Sequence, residues 1–284
     1  MNIYYINLAR RTDRNADMIN KLNAINHEYK RFDAIDGQTL ELSDSLLHLF
    51  RNNDFNYKRG VLGAALSHYY LWKLLLTSDY DYNLILEDDV VLCDNFGELL
   101  SNIKVNLEPN NIKLLLLGYT GKSYVSDNII ISKLQDKTSL LGGLFGYIIH
   151  KSVIKHILSM IDMTGIYRAI DMYLFDNCCC DIHIVSPQII TTTAVSLYNN
   201  VDSDIHYNIM TLYDNYDFYQ ELDSDGYDIS HHPGLPFNEL KELANKTNDC
   251  VGFNTLGYLK HKINWPLKKL PFGKFHGIYI KKNI

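Results

Sequence analysis

The sequence lacks the marks of several protein classes. Its five cysteines include no Cys-x-x-Cys pair, and three of them are consecutive at Cys178–Cys180, so neither a disulfide framework nor a zinc site is expected. The longest weakly polar stretch, residues 140–149, is about half the length that a membrane-spanning helix needs. We therefore expect no integral membrane segment.

An excess of positive charge is also missing. The chain has 27 basic and 33 acidic residues and a net charge of −6, which argues against nucleic acid as a partner. The first residues pass directly into a strand-like pattern, without the charged and then apolar leader of a secreted protein. Together with the unpaired cysteines, this pattern predicts a reducing compartment and a cytoplasmic location.

What the sequence does contain is an alternation of strand and helix patterns. Short apolar runs alternate with segments in which apolar residues recur every three or four positions. Continuous apolar strands separated by helices predict an α/β fold with a mostly parallel sheet covered on both faces. The predicted strands are 2–8, 29–37, 82–88, 112–119, 138–150 and 181–190, and the predicted helices are 13–25, 60–78, 96–107, 151–162 and 169–178.

The composition changes beyond about residue 207. Tyrosine and acidic residues are concentrated in YDNYDFYQELDSDGYD, which we interpret as a mobile or peripheral segment. From residue 260 onward, lysines are interspersed with aromatic residues and acids are missing. We therefore predict a main domain over residues 1–206 and a small C-terminal appendage over 207–284. The appendage could hold a glycan, brace a diphosphate, contact an anionic membrane surface or simply pack.

Three consecutive acids end one of the predicted strands, in LILEDDVVL. Ligands of open α/β sheets bind beyond the carboxyl ends of the strands. Side-chain alternation along a strand directs Glu87 and Asp89 to one side and Asp88 to the other. Two converging carboxylates favour a hard cation, Mg²⁺ or Mn²⁺. The alternative is that these acids are solvated or cap the helix that begins near Asn95.

Four blocks carry a specific resemblance by their order and spacing: YYINLARRTDR, FDAIDG, GVLGAALSHYYLWK and LILEDDV. Together they resemble glycosyltransferase family 25, which includes lipopolysaccharide-core and collagen galactosyltransferases. The resemblance covers about residues 2–205. It implies a GT-A-like, Rossmann-type domain that binds a nucleotide-sugar, usually a UDP-sugar, with Mn²⁺ or Mg²⁺ at the acidic motif. It also implies transfer to a hydroxyl of a glycan or protein acceptor, with inversion at the anomeric carbon.

The same resemblance implies which residues bind the donor. They come from the four blocks: Asn7, Leu8, Arg10, Arg14, Ala34, Asp36, Gly60, Ser67 and Asp88. Several have simpler explanations. Asp36 could serve only the Asp-Gly turn. Gly60 and Ser67 belong to a strip of small residues that could simply pack against the sheet. For Asp88 the resemblance assigns no specific contact. His68 could equally be a core histidine.

The resemblance further implies the metal ligands and the base. Glu87 and Asp89 would hold the metal, and His206 is the candidate for a third ligand, with Asp204 beside it. An inverting transferase needs one carboxylate to deprotonate the acceptor hydroxyl. Asp171 matches the family's acid here, and Asp176 is the second choice, although Asp171 could instead cap its helix.

Two other function classes remain open from the sequence. One is a catalytically inactive protein that binds nucleotide-sugars or glycans on the same scaffold, because a fold does not determine a function. The other is a sugar nucleotidyltransferase, which uses the same metal and diphosphate chemistry. Against that second class, the N-terminal part has no glycine-rich phosphate loop with its lysine.

Overall fold

The structure, a computed structural model, describes residues 1–25, 27–41, 43–55, 57–121, 129–137, 140–192, 215–235, 237–270 and 276–282. The chain divides into two compact units. The first comprises Met1–Ile35 and Ala64–Val195, and the second comprises Asp36–Gly63 and Ser196–Ile284. The predicted boundary between residues 206 and 207 lies outside the described residues.

The first unit is built on a seven-stranded sheet. In chain order its strands are β1 (Asn2–Asn7), β2 (Tyr29–Asp33), β3 (Tyr82–Glu87), β5 (Leu114–Gly121), β6 (Ile130–Lys133), β7 (Leu140–His150) and β8 (Ile182–Ser186). A separate antiparallel pair consists of β4 (Val90–Leu92) and β9 (Ile190–Thr192).

The strand order of the sheet is β2-β1-β3-β7-β5-β8-β6. Strands β2, β1, β3, β5 and β8 share one direction, whereas β7 and β6 run against their neighbours. The predicted α/β class with a mostly parallel sheet is therefore confirmed. The antiparallel β7 between β3 and β5 was not predicted, because apolar periodicity carries no information on strand direction.

The described helices are α1 (Thr12–Asn23), α2 (Asp44–Leu49), α3 (Arg59–Leu75), α4 (Phe96–Leu107), α5 (Lys151–Thr164), α6 (Ile170–Asn177) and α7 (Phe237–Lys246). In α4 the buried residues recur every three or four positions, at Phe96, Leu100, Ile103 and Leu107, so this helix buries one face. Within the described part of the chain, no helix combines the length and apolarity required to cross a membrane.

The alternation of side chains along β3 determines the face of the sheet to which Glu87 points. Leu84 and Leu86 lie in a core cluster with Met18 of α1 and Leu100 of α4. Ile85, also fully buried, points to the other face of the sheet. The residue that follows Leu86 is Glu87, so the alternation directs its side chain to the same face as Ile85.

The second unit contains a five-stranded antiparallel sheet. Its strands are β10 (Tyr216–Gln220), β12 (Asp228–His231), β13 (Gly252–Asn254), β14 (Tyr258–Lys260) and β16 (Gly277–Lys281), and β11 (Leu222–Asp223) pairs separately with β15 (Lys268–Lys269). Its core includes Tyr216, Phe253 and Tyr279, packed with Leu240 of α7. The predicted C-terminal appendage thus has its own sheet and core. Part of the segment expected to be mobile or peripheral is strand β10, with Tyr216 buried.

Candidate functional site

Polar contacts join the carboxyl ends of β1 and β3. Asn7 Nδ2 donates to Asp88 Oδ2 at 2.7 Å and to the carbonyl oxygen of Arg11 at 3.1 Å. Arg14 Nη1 donates to Asp88 Oδ1 at 2.8 Å and lies 3.8 Å from Asp89 Oδ2. Both oxygens of Asp88 therefore accept hydrogen bonds from protein donors, and Asp88 ties α1 to the two strand ends.

Asn7 retains one unused acceptor. Its side chain is only 1% exposed, and among the described residues its Oδ1 has no hydrogen-bond partner. Unsatisfied buried acceptors are uncommon in folded proteins, and a bound ligand is one explanation. The contact of Asn7 with the donor stays a prediction.

The other predicted donor residues of the first unit lie around the same strand ends. Leu8 is half-buried directly after β1, and Arg10 is exposed. The Ala34 N–H donates to the carbonyl oxygen of Asn7 at 2.9 Å. Ser67, 1% exposed, accepts from the Ile35 N–H at 2.9 Å, so its hydroxyl holds the chain leaving β2. The strip of small residues had not indicated this contact.

Asp36 and Gly60 belong to the second unit. Asp36 Oδ1 accepts from the Gln38 N–H at 2.9 Å and caps the 3-10 turn Gly37–Thr39, as turn chemistry alone would require. Gly60 is the second residue of α3. The backbone at Gly37 lies against the start of this helix, because a Cβ at Gly37 would collide with the Arg59 carbonyl group. The donor-binding roles of Asp36 and Gly60 stay predictions.

Glu87 contacts a buried polar chain on its face of the sheet. His68 Nε2 lies 3.6 Å from Glu87 Oε1, and His68 Nδ1 lies 2.9 Å from the Tyr147 hydroxyl. Trp72 Nε1 donates to the same hydroxyl at 2.9 Å. His68 is 2% exposed, and Trp72 and Tyr147 are fully buried. Sequence reasoning considered His68 but missed the other two, which look like ordinary core aromatics.

Asp171 is held by backbone donors at the start of α6. Its Oδ2 accepts from the Gly143 N–H at 2.9 Å, and its Oδ1 accepts from the Met172 N–H at 2.7 Å. Gly142 and Gly143 have φ of 129° and 99°, and a Cβ at Gly142 would lie 2.6 Å from Asp171 Oδ2. Gly142 therefore makes room for this carboxylate, and Gly143 supplies one of its two backbone donors.

The acids of this face influence one another electrostatically. Burial raises the pKa of Asp171, and the charge of Glu87 adds to this effect against the hydrogen bonds from Gly143 and Met172. Burial, followed by the charge of Glu87, raises the pKa of Asp89 to about 7. Glu87 is thus close enough to act on both Asp89 and Asp171. The second-choice base, Asp176, instead pairs with Arg168 at 2.6 Å.

The carboxylates fit a divalent cation in part. Within the described ranges, no three His, Cys, Asp or Glu side chains are grouped to hold a metal. Mg²⁺, however, is commonly held by one or two carboxylates, with water and substrate phosphate completing its shell. A cation beside Glu87 and Asp89 would relieve the repulsion that raises the pKa of Asp89. The predicted third ligand, His206, and its neighbour Asp204 lie outside the described residues.

Comparison with known proteins identifies the family of this chain. The family model "Glycosyltransferase family 25 (LPS biosynthesis protein)" matches residues 1–174, which is more than half of the chain. The chain belongs to glycosyltransferase family 25. It is therefore an enzyme of the glycosyltransferase class, as the four sequence blocks predicted.

Two relatives of this family 25 glycosyltransferase differ in how much of their length matches this chain. R655 of Acanthamoeba polyphaga mimivirus, a protein named as a glycosyltransferase, is 33% identical over 312 aligned positions, which cover 100% of this chain and 95% of that protein. Procollagen galactosyltransferase 2 of Homo sapiens is 30% identical over 126 positions, which cover 41% of this chain but only 20% of the human protein.

A solved structure is also similar to this family 25 member. It is the crystal structure of a glycosyltransferase involved in the glycosylation of the major capsid of PBCV-1. The match has a TM-score of 0.39 and 10% identity, and it covers 72% of this chain and 97% of that one.

Proposed function

We propose that this family 25 enzyme transfers a hexose from a UDP-sugar to a hydroxyl group of a glycan or protein acceptor, with a divalent cation and with inversion at the anomeric carbon. The observation that carries the proposal is the position of Asp171. Gly143 donates to its carboxylate, and the charge of Glu87 is close enough to act on it. A base beside a cation-binding acid pair is what direct displacement of a diphosphate requires.

Asp171 is suited to the role of general base. A raised pKa makes its carboxylate a better proton acceptor than an ordinary aspartate. Each of its oxygens accepts one backbone N–H, and because a carboxylate has about four acceptor positions, others stay available for an acceptor hydroxyl. The two backbone donors also fix the orientation of the carboxylate, so that it need not reorganise when the proton moves.

Glu87 and Asp89 would hold the divalent cation. When bound, such a cation neutralises the negative charge that grows on the leaving diphosphate, a contribution of several kcal/mol. The chain's own contribution is positional. Asp88 is tied to Asn7 and Arg14, which fixes the turn between Glu87 and Asp89 at the end of β3.

Inversion follows from the use of a single base. In one displacement the acceptor oxygen attacks the anomeric carbon opposite the leaving diphosphate, while Asp171 takes the acceptor's proton. The transition state has the oxocarbenium character known from glycoside hydrolysis, but the attacking oxygen is that of the acceptor and not of water.

The test is release of nucleoside diphosphate. The purified protein is incubated with Mn²⁺ and a panel of nucleotide-sugars, with and without a chelator. We expect slow, chelator-sensitive hydrolysis of one UDP-hexose, and a loss of about 10²- to 10⁴-fold in Asp171→Asn. Asp176→Asn is the matched control, because Asp176 pairs with Arg168 and should leave turnover unchanged.

Other outcomes would overturn the proposal. Saturable donor binding without turnover under any condition would indicate an inactive binding protein. Pyrophosphate release from a nucleoside triphosphate and a sugar phosphate would indicate a nucleotidyltransferase. Retention of configuration in the glycoside product would contradict the single displacement by Asp171.

A further inference from the structure

Three consecutive cysteines follow the helix that carries Asp171. Helix α6 ends at Asn177, and Cys178 is its C-cap residue. The Sγ atoms of Cys178 and Cys180 lie 3.4 Å apart, whereas Cys179 between them is exposed. Both thiols of the close pair are half-buried, so they remain accessible to a small reagent. Neither thiol is used by the reaction proposed above.

The two close thiols differ chemically. A hydrogen bond from Cys180, followed by the positive charge of Lys137, lowers the pKa of Cys178 to about 7. The same hydrogen bond raises the pKa of Cys180 well above its ordinary value. The contact between the two sulfurs and the positive charge of Lys137 thus favour the thiolate at Cys178 over Cys180.

Lys137 is held beside this pair by a structural contact. Its Nζ donates to the carbonyl oxygen of Phe175 in the last turn of α6 at 2.8 Å. A lysine near a cysteine stabilises the thiolate, which is the reactive form. The arrangement thus combines a nucleophilic thiolate with a second thiol at contact distance.

We propose that Cys178 and Cys180 are a reversible modification site, converted to an intrachain disulfide by exchange with a low-molecular-weight disulfide of the glutathione type. The Cys178 thiolate attacks one sulfur of that disulfide, and the S–S bond breaks as one small thiolate leaves. Cys180 then passes its proton to solvent and attacks the Cys178 sulfur, releasing the second small thiolate. Two protein thiols are oxidised and one small disulfide is reduced to two thiols.

The geometry favours the second step over a stable mixed disulfide. A disulfide needs about 2.05 Å between its sulfurs, so closing from 3.4 Å asks for a small movement in the loop between α6 and β8. The first step is favoured as well, because exchange is fastest when the attacking thiol has a pKa near the ambient pH. Cys179 lacks the lowered pKa of Cys178. Its pKa is raised instead, by the partial burial of its sulfur and then by the charge of Cys178, although the residue as a whole is exposed.

The test follows the thiols of the whole chain. Reduced protein is incubated with glutathione disulfide, the remaining thiols are alkylated, and the peptide carrying residues 178–180 is fragmented by mass spectrometry. In wild type and in the matched control Cys179→Ser we expect loss of two alkylatable thiols as a Cys178–Cys180 disulfide, reversed by dithiothreitol. Cys180→Ser should stop at a mixed disulfide on Cys178.

Several results would overturn the proposal. They are a mixed disulfide on wild-type Cys178 that never resolves, a disulfide that includes Cys179, or equal reaction of all three thiols. If Cys180→Ser does not fold, as judged by circular dichroism, the test is made on the wild-type protein alone. Its exchange rate at fixed glutathione disulfide should then rise as the pH increases through about 7. A rate independent of pH would be contrary to the assigned thiolate.

Discussion

His68 Nδ1 lies 2.9 Å from the hydroxyl oxygen of Tyr147, a residue 79 positions away in the chain. That oxygen also accepts the indole N–H of Trp72, and His68 Nδ1 is placed to accept the phenolic proton in return. The ring proton of a neutral His68 then sits on Nε2, the nitrogen that faces Glu87 at 3.6 Å. A fully buried tyrosine thus favours one tautomer of the histidine that faces Glu87.

Removing the Tyr147 hydroxyl should destabilise the protein and alter the site. Tyr147→Phe leaves the buried indole N–H of Trp72 without its acceptor, which costs about 1–3 kcal/mol of unfolding free energy. Turnover should fall and its pH profile should shift, since the tautomer of His68 is no longer fixed. Urea unfolding and pH–rate profiles provide the measurements. Tyr70→Phe, at a residue 46% exposed, should change stability by no more than about 0.5 kcal/mol.

A methyl group at Gly142 should displace the proposed base. The Cβ of Gly142→Ala would lie 2.6 Å from Asp171 Oδ2, at a φ of 129° that favours glycine. We expect a fall in diphosphate release of about 10²-fold or more, as for loss of a general base. Gly226→Ala is the control for backbone strain, because its φ is 71° but nothing lies within 4 Å of its Cβ. Equal activity of the two variants would contradict the role of Gly142.

Neutralising Asp89 should stabilise the metal-free protein at high pH. The folded-state pKa of about 7 exceeds the unfolded value of about 4, so the ionisation of Asp89 lowers stability as the pH rises from about 4 through 7. Asp89→Asn lacks this loss. In the presence of a chelator, the melting temperature of Asp89→Asn should exceed that of wild type at pH 8, and the difference between the two should shrink towards pH 4.

The same pair of proteins tests the cation. Mn²⁺ at pH 8 should raise the melting temperature of wild type, because it binds the folded, ionised carboxylates, and should have little effect on Asp89→Asn. Since the cation competes with the proton on Asp89, its apparent affinity for wild type should weaken as the pH falls below about 7. An equal Mn²⁺ shift in both proteins would rule out Asp89 as a ligand.

Arg14 should matter for stability as well as for any contact with the donor. Arg14→Gln leaves Asp88, 8% exposed, without its ion-pair partner, and breaking a buried pair costs about 3–5 kcal/mol. Arg31→Gln is the control, because Arg31 pairs with Asp33, whose side chain is 80% exposed, and such pairs contribute about 0–1 kcal/mol. Unchanged stability with a raised donor KM would instead make Arg14 a donor contact.

Sequence reasoning located the strand ends and the acids that follow them, but it could not say what those acids contact. Alternation predicted that Glu87 and Asp89 share one side. In the structure β3 ends at Glu87, and after the turn Asp89 lies 3.8 Å from Arg14, which also binds Asp88. The pattern of a strand does not extend into the turn that follows it, so the partners of Asp88 and Asp89 could not be derived from their order, and the shared side of Glu87 and Asp89 stays a prediction.

What the sequence determined by itself was the family, the α/β alternation and the identity of the candidate acids. These follow from local patterns, which depend on residues close together in the chain. Only the tertiary structure decided that β7 runs antiparallel between β3 and β5, and that Gly143 of β7 presents its N–H to Asp171 of α6. Such contacts join residues far apart in the chain, and they are selected by packing and by the need of buried polar groups for partners. No local pattern encodes them.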